Sequence, residues 1–182
     1  MESDDKIHEY ENAAKEKNSS LYEFFLLQLQ DIYWAEQQLV QALAKIQKAS
    51  ANEDLRQQFA DHLAQTEHHV SRLEEIFGIM GVKPASIRCE AMDELIKESE
   101  AAIEETEPGS GTRDAALIMT IQKAEHYEIA TYGGLVQFAT SLGFEKITSL
   151  LDQTLQEEKD QDILLSDIAE RKINWLAETE QK

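Results

Sequence analysis

A chain of 182 residues that is 42% hydrophobic is long enough to bury one core without disulfides or structural metals. Its net charge of -19 disfavours phosphate backbones and anionic lipid headgroups, so nucleic acid and membrane surfaces are poor partners, while cations are drawn in. Cys89 is the only cysteine, which excludes an internal disulfide framework and a thiolate cluster within one chain, leaving carboxylates and imidazoles to hold any metal.

Residues 1–19 are polar and read as a tail or a frayed helix. With no signal-like apolar run there and no later segment approaching a membrane span, the chain reads as cytoplasmic. A first long helix is predicted from a capping box at Ser20-x-x-Glu23. Its stripe of Leu21, Phe25, Leu29, Ile32, Leu39, Leu43 and Ile46 runs to about Ala49. A second box, Ser50-x-x-Glu53 with Asn52 as a rival cap, starts the next helix after almost no loop, which demands a hairpin. Leu55, Phe59, Leu63, Val70, Leu73, Phe77 and Met80 carry its stripe to Gly81.

About thirty residues follow in which one shorter amphipathic helix (Met92, Leu95, Ile96, Ile103) lies between breaker-rich turns containing Pro84 and Pro108. The third long helix is expected from near Thr112 through Ile118, Ile121, Ile129, Val136 and Leu142 to a glycine stop at Gly143. The fourth carries Ile147, Leu151, Leu155, Leu165 and Ile168. Connections that read short, long, short predict an all-α, ferritin-like four-helix bundle over residues 20–178, with one long crossover between helices two and three carrying the extra short helix. Gly133 and Gly134 inside a helix suggest a close helix contact or a local bend.

Ionisable residues interrupt every stripe. At 100° per residue, Glu36 falls between Ile32 and Leu39; His62, Thr66 and His69 continue the line from Leu55 and Phe59 to Leu73; Glu125 and Glu128 lie between Ile121 and Tyr132; and Glu158 sits between Leu151 and Leu165, flanked by Gln161 and Asp162. Buried carboxylates repel one another unless protonated, paired or neutralised, and Lys45, Lys48, Arg56 and Lys123 fall to the sides of these arcs. A divalent cation is the natural neutraliser. Oxygen donors with one or two imidazoles suit iron or manganese, and two such ions can be bridged by carboxylates from facing helices. The candidate ligands are Glu36, His62, His69, Glu125, Glu128, Glu158 and Asp162, with His126 and Tyr127 flanking the face of the third helix. Leu117, Leu135 and Phe138 lie outside the inward arc of that helix and suggest a homodimer, unless the crossover segment of the same chain covers them.

The strings "DIYWAEQQLVQALAKI", "FADHLAQTEHHVSRLEEIF", "CEAMDELIKE", "RDAALIMTIQKAEHYEIATYG" and "LLDQTLQEEKDQD" closely resemble the bacterial YciE/YciF-like stress protein family over roughly residues 20 to 170. The resemblance implies a ferritin-like bundle, expression under stress and association as homodimers, and supplies no activity. More distantly the pattern looks like rubrerythrin and manganese catalase. That likeness matches Glu36 to the first-helix ligand, Glu125 and Glu128 to the third-helix pair and Glu158 to the fourth-helix glutamate. Two departures stand out: Thr66-x-x-His69 lacks the carboxylate of a Glu-x-x-His motif, and Glu158-x-x-Gln161 lacks its imidazole. The site implied is weakened, mononuclear, dead, or rearranged to use His62 or Asp162. Peroxide or dioxygen chemistry at iron or manganese is the function expected if the site is intact. A non-catalytic dimeric scaffold or partner-binding module is the alternative.

Overall fold

The computed structural model describes residues 19–180. The expected tail or frayed helix over residues 1–19 therefore lies, but for Ser19, outside the described residues. Among them there is no strand, and the elements are α1 (Ser20–Ala49), α2 (Glu53–Met80), α3 (Glu90–Glu105), α4 (Gly111–Ser141), α5 (Glu145–Ile168), a π-helical turn (Ala169–Ile173) and α6 (Asn174–Thr179). No helix among the described residues is long and apolar enough to cross a membrane.

Two helix starts differ from the expected ones. Ser19, not Ser20, caps α1: its side-chain oxygen accepts from the Tyr22 amide and Ser20 is already helical. At α2 the rival cap wins, since Asn52 accepts from the amides of Asp54 and Leu55. Ser50 instead closes α1 through its amide on the Ile46 carbonyl and turns its hydroxyl to Asp114. Asparagine accepts from two orphan amides at once there, which a serine two residues earlier cannot reach. Helix α4 stops as expected: Gly143 takes φ 73°, and the bonds Gly143 N to Thr140 O and Phe144 N to Ala139 O close its last turn.

Helix α1 packs against α2 and α4, α5 packs against α2 and α4, and α3 lies on α1 and α4. Phe25, Leu29, Ile32, Leu39 and Leu43 of α1 meet Leu55, Phe59, Leu73 and Phe77 of α2 and Leu117, Ile118, Ile121 and Leu135 of α4 in one buried core. Truncating any of these leucines to alanine costs about 2–5 kcal/mol. Leu21, Leu63, Val70, Ile129, Val136 and Ile168, also expected on inward stripes, pack at the edge of that core and are only half-buried.

Polar ties hold the register of α4. The buried Asp114 carboxylate accepts from the Ser50 hydroxyl (2.9 Å) and from the amides of Ala51 (2.8 Å) and Asn52 (2.8 Å), pinning the α1–α2 turn to the first turn of α4. The Arg113 guanidinium satisfies the Ile103 and Thr106 carbonyls at the end of α3. The C-terminal segment folds back over the same end of the bundle: Glu180 accepts from the Gly111 and Thr112 amides, and a side chain at Gly111 would come 2.9 Å from the Ala177 backbone nitrogen.

Two expectations about α4 change. A Cβ at Gly133 or Gly134 would meet nothing within 4 Å and the helix is continuous there, so within the chain these glycines serve no close helix contact. Leu117 and Leu135 are buried within the chain itself, at 0% and 1% exposure. Of the three residues that suggested a partner, only Phe138 keeps an open side, edge-on to the exposed Phe24 ring at 5.8 Å.

Candidate metal centre

The helices converge their ionisable residues at mid-height. Glu36 from α1, His62 and His69 from α2, Glu125 and Glu128 from α4 and Glu158 from α5 are all 0–1% exposed. The spacing of seven between the histidines and of three between the α4 glutamates puts each pair on one helix face. Two triads result, Glu36–His69–Glu158 and His62–Glu125–Glu158, each with one ligand atom per residue all within 4.8 Å of one another. Glu158 belongs to both.

His69 Nδ1 lies 2.8 Å from Glu158 Oε1 and 3.5 Å from Glu36 Oε1, off the line of a hydrogen bond. His62 Nε2 is 3.2 Å from Glu125 Oε1. Tyr132, fully buried on α4, donates its hydroxyl to Glu36 Oε1. Outside the cluster, His69 Nε2 meets Glu157 Oε2 at 2.9 Å, and Arg72 holds that same carboxylate at 2.8 and 3.2 Å.

Burial and mutual repulsion set the charges of the metal-free cluster. Burial, then the Glu158 charge, pushes Glu125 and Glu128 well above the usual carboxylate range. Burial also raises Glu36, with the His69 ring opposing it. For Glu158 burial is outweighed by the neighbouring His69 and Glu125 side chains, which bring it below the usual range. Burial drives His62 down to about 4. His69 goes the other way, to about 10, because the Glu36 and Glu158 carboxylates overcome the effect of burial. One imidazolium thus stands among four carboxyl groups, three of them held above the usual carboxylate range.

That compensation leaves many atoms unserved. Six carboxylate oxygens (Glu36 Oε2, both of Glu125, both of Glu128 and Glu158 Oε2), His69 Nδ1 and both nitrogens of His62 are buried without a hydrogen-bond partner. Each buried polar atom left unpaired costs about 1–3 kcal/mol, and their donor set of carboxylates and imidazoles suits divalent cations. The residues present could hold a metal.

Six of the seven residues expected from sequence come together here and Asp162 does not. Its carboxylate accepts from Gln122 Nε2 at 3.0 Å and has His126 Nε2 at 3.7 Å, because one residue's advance past Gln161 turns it into the outer α4–α5 groove. His126 is exposed, and Tyr127 donates to Asp31 at 2.7 Å beside Cys89 Sγ, so neither flanks the cluster. Gln161 accepts from Gln58 at 2.9 Å. The imidazole absent from α5 is made up by His62, so both histidines come from α2, and Thr66 is satisfied by the His62 carbonyl. Sequence reasoning missed Tyr132, Glu157 and Arg72. Tyr132 was legible on the Glu125–Glu128 line, whereas Glu157 sits 100° from Glu158 and reads as a solvent-facing acid.

Comparison with known proteins agrees with this architecture. The family described as "Domain of unknown function (DUF892)" matches residues 20–178. Protein YciF of Escherichia coli (strain K12) is 43% identical over 160 residues, 87% of this chain and 96% of that protein. The crystal structure of the E. coli stress protein YciF superposes with a TM-score of 0.81, covering 86% of this chain and 98% of that one. YcfI of Rhodopseudomonas palustris, whose description proposes a structural role, is 39% identical with a TM-score of 0.77 over 81% of this chain and 94% of that one. The chain belongs to the YciF-like stress protein family and carries the domain described as DUF892 over residues 20–178.

Proposed function

We propose that the chain is a ferritin-like four-helix bundle holding two divalent cations, iron or manganese, within a bacterial stress protein. The observation that carries this reading is the pair of fully buried triads sharing Glu158, with six buried carboxylate oxygens in the cluster lacking a hydrogen-bond partner. Four ionised carboxylates and two neutral imidazoles balance the charge of two dications without any carboxyl group having to stay protonated, as burial favours in the metal-free cluster. Glu36 and His69 would hold one ion, His62 and Glu125 the other, with Glu158 between them and Glu128 adding its free oxygens. Iron or manganese bound there would supply redox chemistry toward peroxide or dioxygen. The chain's own part is to orient ligands through Tyr132 and Glu157, to exclude bulk water by burial, and to admit only small oxidants.

A second reading is favoured by one contact. The His69 imidazolium already sits where a cation would, between Glu36, Glu158 and Glu157, which fits a non-catalytic scaffold whose polar core is an ionic network. Metal analysis of protein purified without chelator separates the two: about two Fe or Mn per chain is expected, while protein that is metal-free and rejects added Fe(II) and Mn(II) leaves the scaffold.

Association as a homodimer belongs to the same proposal. Phe24 and Leu27 are each 48% exposed on α1, Phe24 packs edge-on to Phe138, and Gly134 lies one turn before Phe138 with open space above it. That surface is where a second copy would pack.

A further inference from the structure

We propose that the two halves of the cluster are unequal: the half built on Glu36, His69 and Glu158 takes its divalent cation first, and Glu157, which lies outside both triads, is the positioning residue that makes it so. The inference rests on the metal-binding reading above and adds an order of loading and the residue that sets it.

The asymmetry lies in what stands behind each ligand. His69 Nε2 meets Glu157 Oε2 at 2.9 Å. Glu157 is itself fixed, by Arg72 Nη1 on Oε2 (2.8 Å), Arg72 Nη2 on Oε1 (3.2 Å) and Gln153 Nε2 on Oε1 (2.9 Å). With Nε2–H committed outward, the ring cannot turn over without losing that bond, and Nδ1 is presented inward, 2.8 Å from Glu158 Oε1. On the same half, Tyr132 pins Glu36 through Oε1. The entering cation displaces the Nδ1 proton of the imidazolium and finds the ring already oriented by its outer N–H bond to a carboxylate, and removing such a partner typically lowers metal affinity 10–100-fold.

Nothing comparable supports the other half. Neither nitrogen of His62 has a hydrogen-bond partner, and both oxygens of Glu125 and of Glu128 are likewise free. These side chains have to be ordered by the ion itself, and that ordering is taken from the binding free energy. Arg72 and Glu157 flank the bundle only on the His69 side, so no residue performs the same task for His62.

The test is a Mn(II) titration of the full chain, stripped with chelator, followed by electron paramagnetic resonance. Free Mn(II) reports the two dissociation constants, and the bound spectrum distinguishes an isolated ion from an exchange-coupled pair. The parent is expected to fill one site per chain as an isolated ion before a coupled pair forms, with the two steps separated by about 10–100-fold. Glu157→Ala is expected to weaken the first step by about that factor and leave the second in place. Glu157→Gln, whose amide oxygen still accepts from Nε2–H, is expected to keep most of the first step although it removes the same charge. A merely structural or long-range electrostatic role would move both steps together and would not separate Gln from Ala. Should Glu157→Ala fail to fold, Arg72→Gln, which frees Glu157, is expected to weaken the first step and not the second. Two equal steps in the parent, or a first step unchanged by these variants, overturns the inference while the metal-binding reading stands. A parent that binds no Mn(II) overturns both.

Discussion

Replacing Glu158 by glutamine should cost the metal-free protein far more than replacing Glu128 by glutamine, although both are buried glutamates of the same cluster. Glu128 has no partner for either oxygen, and burial together with Glu158 and Glu36 holds its carboxyl well above the usual range. That shift favours its uncharged form, so Glu128→Gln, nearly the same in size, should change stability by less than about 1 kcal/mol. Glu158 is the ionised partner of His69, 2.8 Å away. The rise of His69 from 6.5 to about 10 corresponds, at about 1.4 kcal/mol per tenfold change in proton affinity, to roughly 5 kcal/mol shared among its carboxylate neighbours. Removing one partner of a buried ion pair costs about 3–5 kcal/mol because the other charge is stranded. Glu36 and Glu157 remain beside the ring, so about 2–4 kcal/mol is expected for Glu158→Gln. The assay is urea unfolding at pH 7 after exhaustive chelation, comparing midpoints at constant slope. A Glu158→Gln midpoint equal to the parent, with Glu128→Gln clearly lowered, would refute the charge assignment. Both variants should lose most of the stabilisation that Mn(II) gives the parent.

Metal-free protein should lose stability as the pH rises from about 6.5 toward 10. His69 is raised in the fold, so its contribution is complete below 6.5 and is lost as the pH climbs through its folded value; Glu125 and Glu128, also raised, act in the same direction, and urea midpoints that stay flat or increase over that range would contradict this. Asp114→Ala strands the Ser50 hydroxyl and the Ala51 and Asn52 amides and should cost about 2–4 kcal/mol in the same assay; a loss under about 1 kcal/mol would remove its role as the tie between the α1–α2 turn and α4. Gly134→Ala, with open space inside the chain, should stabilise an isolated protomer by about 1 kcal/mol yet weaken a homodimer packed over Phe24, Leu27 and Phe138. Sedimentation equilibrium on parent and variant checks this, and a parent that is monomeric at micromolar concentration refutes the dimer.

The all-helical class was legible because each long helix carries apolar residues at steps of three and four and the breakers fall where chain direction changes. What periodicity misjudged were caps and outer faces. Ser20 and Ser50 satisfy the capping-box pattern, yet Ser19 and Asn52 are the residues whose side chains reach the free amides. Leu117 and Leu135 look surplus to the inward arc of α4 although both are buried within the chain, as part of its one core. Within the site, Glu36, Glu125, Glu128 and Glu158 could be read directly, because a carboxylate flanked by core residues at steps of three and four has no route to water. The choice between His62 and Asp162 could not, since a histidine on a core line can equally be a packed residue, and Asp162 stands only one residue, 100° of helix, past the buried Gln161. Glu157 and Arg72 were invisible for a related reason: their significance comes from a contact between α2 and α5, eighty-five residues apart in the chain.

The central claim is that this cluster is built around two cations and not around its own imidazolium. Crystals of the full chain grown with millimolar Mn(II) and measured for the anomalous signal of manganese test it most directly. The account predicts two peaks, one bounded by Glu36, His69 and Glu158 and the other by His62, Glu125 and Glu158. A map without either peak, with His69 Nδ1 still against Glu36 and Glu158, would contradict it.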